Sequence, residues 1–207
     1  EVPKIHKKND NEYPIQLLHV GRGVRTKGLR DVVRAVSILK GRSVSVHLTS
    51  AGEGTEIEIC RKEAKRLEIE KEVTFLGQRP REFIEALYQK ADIFVFPSFR
   101  EPSGNVLYEA MRWGLPVITA IAGGPAFIVD ENTGIKLDVS GPTDFALSIA
   151  DAIEYLAKNP QIRVQMGRAA QRNLNLNQRW EIKAKELVKK YDEVVHETQH
   201  KKKLLRN

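Results

Sequence analysis

Residues 15–41 read IQLLHVGRGVRTKGLRDVVRAVSILKG, and the order of side chains in this one stretch decides the class of fold. Ile15 to Val20 is a short apolar run, too brief for a helix and closed by Gly21. Beyond the glycine-rich segment Gly21 to Gly28, the residues Leu29, Val32, Val33, Val36 and Leu39 recur at three-four spacing until Gly41, which marks one apolar helix face. The stretch therefore reads strand, loop, helix. Working outward, the alternation repeats. Val44 to Ala51 reads as a strand, Ile57, Cys60, Ala64 and Leu67 as a helix face, Val73 to Leu76 as a strand, and Phe83, Ile84, Leu87 and Tyr88 as a third helix. Asp92 to Pro97 is a fourth strand, Gly104 to Met111 starts a helix, Pro116 to Ala120 is a fifth strand, and a shorter strand is expected near Phe127 to Val129. Parallel strands need crossover connections, usually helices, so the expected fold is α/β, a Rossmann-like doubly wound parallel sheet.

After Pro142 the chain reads as wholly helical. Phe145, Ile149, Ile153 and Leu156 share one face before Asn159-Pro160, and Trp180, Ala184, Leu187, Val188, Tyr191, Val194 and Val195 keep helical spacing in the last helix. That stripe packs either on its own domain or on a partner domain. The reading is one domain over residues 15–195, between a polar extension, 1–14, and a basic tail, 196–207.

With 34 basic against 27 acidic side chains the 207-residue chain carries a formal charge of +7. That excess suits nucleic acid, an anionic membrane surface or a phosphorylated small molecule. No RNP-type aromatic motif, zinc-spaced Cys/His set or basic stripe interleaved with aromatics supports nucleic acid. The single cysteine, Cys60, cannot form an internal disulfide and fits a reducing, cytoplasmic setting; on a helix face it reads as a small core residue. The longest uncharged stretch, Trp113 to Val129, is broken by glycines and prolines and is shorter than the ~20 apolar residues of a spanning helix. His19 and His47 sit within strands without a visible partner and read as ordinary strand residues.

Two segments could carry chemistry. In Gly21 to Gly28, GRGVRTKG, a glycine-rich turn opens into a helix, where free N–H groups and the helix dipole attract phosphate. It is neither a dinucleotide fingerprint, since Thr26 stands where glycine is required, nor a P-loop, since Lys27 precedes Gly28. Arg22 and Lys27 remain, either as two fixed charges for an anion or as ordinary solvated loop charges. In the second segment, Phe96 to Ala120, Glu101 lies in a loop after the fourth strand and Glu109 on the second turn of the following helix. The pair alone is uninformative, because roughly two such glutamate pairs are expected by chance. Its position at the carboxyl end of a strand, where open α/β sheets bind ligands, is what gives it weight. The N–H groups of Gly104, Asn105 and Val106 are expected to form a second anion cradle. Two anion cradles and two carboxylates suit a nucleoside diphosphate carrying a sugar.

Residues 15 to about 195 resemble the C-terminal, donor-binding half of family 4 retaining glycosyltransferases, which have the two-domain GT-B fold. The resemblance rests on GR-x4-KG at Gly21 to Gly28, Gly52-Glu53-Gly54, VTFLG at Val73 to Gly77 and Ala91-Asp92 before FVFPS. It continues through Glu101 and Glu109, EAM-x2-G-x-PVI at Glu109 to Ile118, and Gly123-Gly124. It implies that Arg22 and Lys27 hold the diphosphate and, with Glu101, carry catalysis. It further implies that Glu101 contacts the donor sugar, that Gly104 to Val106 meet sugar and distal phosphate through backbone, that Glu109 binds the ribose, and that the Gln78-Arg79 loop touches the base. The implied donor is a UDP-, GDP- or ADP-sugar, used without a metal or other cofactor in polysaccharide, lipopolysaccharide or glycolipid synthesis; no Asp-x-Asp or histidine cluster is present. An epimerase or phosphorylase of the same architecture is the nearest alternative, and a non-enzymatic basic module binding nucleic acid or membrane the more distant one. The family's N-terminal acceptor domain has no counterpart here, so the chain is expected to bind donor without transferring it. The basic tail is expected either to aid association with an anionic membrane or to be a solvated end. Two departures stand out: Phe127 follows Pro125-Ala126 where the family shows an acidic residue, and Thr55 replaces a common proline.

Overall fold

The computed structural model describes residues 14–177, 184–185 and 187–196. By its internal contacts the chain divides into two units, 1–171 and 172–207, and the sheet belongs to the first. Its elements in order are β1 (Ile15–Val20), a 3-10 turn (Arg25–Lys27), α1 (Leu29–Gly41), β2 (Val46–Ala51), α2 (Thr55–Arg66), β3 (Val73–Phe75), α3 (Arg81–Lys90) and β4 (Ile93–Phe96). There follow α4 (Asn105–Arg112), β5 (Val117–Ala120), α5 (Gly123–Ile128), β6 (Gly134–Leu137), α6 (Pro142–Lys158) and α7 (Pro160–Asn177). In the second unit residues 187–196 are helical. Trp180 and the tail from 197 lie outside the described residues. No helix among those described is long and apolar enough to cross a membrane.

All six strands are parallel, in the order β3-β2-β1-β4-β5-β6. This is the Rossmann-like, doubly wound sheet that the alternation of strands and helices implies. The apolar runs are continuous because the sheet is covered on both faces. Leu17, Ile93, Val95, Ile118 and Ala120 pack with α1, α2 and α6. Their neighbours in sequence, Leu18, Phe94, Phe96 and Val117, point the other way, into a second core with Tyr88 of α3, Leu107, Ala110 and Met111 of α4, and Ala170 of α7. Each fully buried Leu, Ile or Phe contributes about 1.5–3 kcal/mol of transfer free energy, so β4, buried at all four positions, anchors the centre. Phe145, Ile149, Ile153 and Leu156 form the buried face of α6 as their spacing predicts.

One expected element is wrong. Phe127 to Val129 is not a strand, because Gly123–Ile128 is a short helix with Phe127 91% exposed. The sixth strand is Gly134–Leu137, paired to β5 from Val117↔Gly134 to Ala120↔Leu137. Its run GIKL is short and interrupted by exposed Lys136, a weak signal beside the apolar FIV that precedes it.

Candidate functional site

β1 and β4 lie side by side, with Leu17 opposite Ile93 and Leu18 opposite Phe94, while their successors α1 and α4 pack on opposite faces of the sheet. Between these two strands the sheet changes winding direction, which is where open α/β proteins leave a crevice for ligands. The loops leaving β1 and β4 are stitched together there. Thr26 O accepts from Phe99 N–H at 3.1 Å and from the Ser98 hydroxyl at 3.0 Å. Gly28, with φ +76°, sits so close to Pro97 that a Cβ would fall 2.5 Å from the Pro97 carbonyl oxygen, so glycine is needed on both counts.

The neighbouring loop, after β2, interlocks with the first. Gly21 N–H donates to Ala51 O at 3.0 Å, Gly23 N–H donates to Glu53 O, and Glu56 N–H donates back to Gly23 O at 2.9 Å. A Cβ on Gly52 would fall 1.9 Å from the carbonyl oxygen of Gly21, which no relaxation of a side chain could relieve. The shape of the Gly21 loop is thus set by Gly52-Glu53-Gly54 as much as by its own glycines.

Lys27 and Glu101 meet across the crevice as an ion pair between Nζ and Oε2. Lys27 is 7% exposed, and its ammonium also lies 5.6 Å from the centroid of the Phe96 ring. The reading of Lys27 as a solvated loop charge is therefore corrected, because the 3-10 turn folds it inward onto Glu101. Burial pushes the Glu101 carboxyl up, but the Lys27 ammonium and the N–H groups of Gly104 and Ser103 outweigh it and hold the group down at about 2. Oε1 of Glu101 accepts from Gly104 N–H at 3.0 Å and from Ser103 N–H at 3.1 Å. That alters the expected second cradle. Gly104 N–H is spent on Glu101, and Asn105 and Val106, first-turn residues of a helix without a side-chain cap, keep N–H groups free of intrahelical acceptors.

Arg22 is exposed and makes no side-chain hydrogen bond or ion pair among the described residues, in contrast to Lys27. Glu109, exposed on the second turn of α4, accepts a hydrogen bond at Oε2 from the Tyr88 hydroxyl at 3.0 Å. Arg79 is exposed at the carboxyl end of β3 with its guanidinium 5.7 Å from the Phe83 ring. With β2 between them, β3 is roughly 10 Å from β1, about two strand spacings. The Gln78 N–H donates to Glu53 Oε1 at 3.3 Å and Gly52 N–H to Gly77 O at 2.9 Å, so the loops after β1, β2 and β3 form one continuous rim.

Two residues that sequence reasoning passed over support this rim. His19 is buried at the end of β1, and its Nε2 lies 3.2 Å from the Lys27 carbonyl oxygen, a contact that makes Nε2–H the donor. Burial lowers its pKa to about 4, opposed by that hydrogen bond, so the ring is neutral at pH 7. Tyr88 was legible as a helix core position, but nothing in the spacing marked its hydroxyl as a partner for Glu109. Cys60 is fully buried, and burial pushes its thiol up to about 12, which keeps it unreactive.

Glycine loops, a lysine–carboxylate pair and an uncapped helix start, gathered at the winding switch of a parallel sheet, define an open α/β protein whose strand ends offer cations and free N–H groups suited to an anion. The chain belongs to the glycosyl transferases group 1, whose family model matches residues 1–173. It is 33% identical to the D-inositol 3-phosphate glycosyltransferase of Corynebacterium jeikeium over 183 residues, 84% of this chain and 42% of that protein. Sucrose-phosphate synthase from Thermosynechococcus elongatus superposes with TM-score 0.76 at 28% identity, over 89% of this chain and 46% of that one. The C-terminal domain of a glycosyl transferase group 1 family protein from Francisella tularensis shares the fold, with TM-score 0.72 at 22% identity over 83% of this chain and 90% of that one. The fold is that of the C-terminal region of GT-B glycosyltransferases. The chain spans about two fifths of the length of the curated relatives it matches.

Proposed function

We propose that the crevice between β1 and β4 binds a nucleoside diphosphate sugar, and that the whole protein transfers this sugar to a hydroxyl acceptor with its anomeric configuration kept. The observation that supports the reading is the buried Lys27–Glu101 pair, a cation and a carboxylate at the strand ends in the same loop system as Arg22, which is exposed and makes no side-chain bond among the described residues. Arg22 and Lys27 hold the diphosphate, and Glu101 accepts from the sugar hydroxyls. Asn105 and Val106 N–H meet the distal phosphate and sugar, Glu109 takes the ribose hydroxyls, and the Gln78-Arg79 backbone faces the base.

Chemically the task is to stabilise the leaving group. Negative charge accumulates on the diphosphate as the glycosidic bond breaks, and a preorganised donor aimed at such charge is worth about 2.7–4 kcal/mol. Arg22, Lys27 and the start of α4 supply the positive charge and N–H donors that meet it, Lys27 from a position fixed by Glu101. Membership of the family supports transferase chemistry. The relatives' names span an inositol phosphate and a sucrose phosphate, so the acceptor does not follow from them.

Titration calorimetry with UDP, GDP and ADP, and with their glucose and N-acetylglucosamine conjugates, tests the reading. Micromolar to millimolar affinity for one nucleotide, roughly −4 to −8 kcal/mol, that falls in Arg22→Ala is expected. Equal affinity in the variant would remove Arg22 from the site. This chain by itself is expected to bind donor without transferring it, because it spans about two fifths of the length of its curated relatives and transfer needs an acceptor held in attacking geometry. Sugar transfer above spontaneous hydrolysis, from radiolabelled donors to a mixed acceptor pool, would overturn that expectation.

A further inference from the structure

The sheet buries Tyr88 almost completely, at 1% exposure, with its ring 5.6 Å from that of Phe94 and tilted 50° to it. Its hydroxyl donates to Glu109 Oε2 at 3.0 Å, with the Val106 carbonyl oxygen farther off at 3.5 Å. Apolar packing alone would be served as well by phenylalanine. Burial and the adjacent Glu109 carboxylate both push the phenol's pKa up, so the hydroxyl keeps its proton and acts always as donor.

Glu109 is otherwise an exposed side chain on a helix surface. Left alone it would sample several rotamers, and a ligand that fixed it would have to oppose the loss of that side-chain entropy. A donor anchored in the core removes that cost before the ligand arrives. It also divides the carboxylate. Oε2 is held by the phenol, while Oε1 and the remaining lone pair of Oε2 stay open to a vicinal diol.

We propose that Tyr88 is the positioning residue of the ribose site: its hydroxyl fixes the Glu109 carboxylate so that it can accept from the ribose 2′- and 3′-hydroxyls together. The inference rests on the reading of Glu109 as the ribose carboxylate. Tyr88 touches no substrate and acts only through Glu109.

The test measures affinities of UDP, GDP and ADP, each against its 2′-deoxy and 3′-deoxy counterpart, in the unaltered chain, Tyr88→Phe, Glu109→Gln and the double variant. The readout is the ribo-to-deoxyribo affinity ratio. It is a quotient of two affinities on one protein preparation, so any loss of folded fraction cancels. The unaltered chain is expected to show a ratio of about ten, which falls severalfold in Tyr88→Phe and no further in the double variant than in Glu109→Gln. If Glu109→Gln collapses the ratio and Tyr88→Phe leaves it intact, Tyr88 is overturned while the ribose assignment stands. If Glu109→Gln leaves the ratio intact, the ribose assignment falls and the inference with it.

Discussion

Lowering the pH from 7.5 to 5.0 should destabilise this protein by about 2 kcal/mol through one side chain. His19 is fully buried, and burial lowers its pKa from 6.5 to about 4. An unfolded chain takes up a proton near 6.5, the native state only near 4, so between those values the unfolded state holds more protons and stability falls with the pH. At about 1.4 kcal/mol per pKa unit the full effect is about 3.5 kcal/mol, of which about 2 is realised by pH 5.0. Glu63 and Glu101, both held near 2, lose their contribution only below about 4.5, which leaves the interval above pH 5 to the histidine. Urea unfolding at pH 7.5, 6.5, 5.8 and 5.0 measures the curve. His19→Phe, which keeps a ring against Phe96, should flatten it while losing about 1 kcal/mol at pH 7.5 with the bond to Lys27 O. A flat curve in the unaltered protein, or an unchanged slope in the variant, would refute the argument.

The charges of the first loop should separate by role. Arg22→Ala and Lys27→Ala are each expected to weaken nucleoside diphosphate binding by about 1.5–3 kcal/mol in calorimetry, but only Lys27→Ala should lower the urea midpoint, since it strips Glu101 of its partner. Glu109→Gln should weaken binding of the plain nucleotide, whereas Glu101→Gln, which also frees Lys27 of its counter-ion, should weaken only binding of the sugar-bearing nucleotide and leave the plain one as tight or tighter; equal losses of plain nucleotide in both would reverse the assignment. Gly52→Ala, with φ +136° and its Cβ driven against the Gly21 carbonyl, should cost on the order of 2–3 kcal/mol and distort the loop, seen as lost thermal stability together with lost nucleotide binding.

Most of the sheet was legible because both faces are buried. A run such as IFVF at β4 has no polar face to blur it, and the helices that follow show their periodicity cleanly. β6 escaped because an edge strand with one exposed charge carries little apolar signal, while FIV looked like a strand and is the C-terminal end and cap of a short helix. Arg22, Lys27, Glu101 and Glu109 could be named from position in the strand-loop-helix pattern. Their states could not, for these depend on partners distant in sequence: Lys27 on Glu101, 74 residues on, and Glu109 on Tyr88, 21 residues back. Gly104 shows the same limit, since its N–H looked free until Glu101 turned back onto it.

Lys27 and Glu101 are each other's counter-ion at the strand ends. A bare anion that draws Lys27 away abandons Glu101, whose side chain is 13% exposed, and so gives back part of what the new contact gains. A ligand that brings hydroxyl groups along with its phosphates compensates both partners at once. On the proposed reading, charge exchange at this pair would favour a glycosylated diphosphate over inorganic phosphate or a free nucleotide, before any contact with a particular sugar is counted.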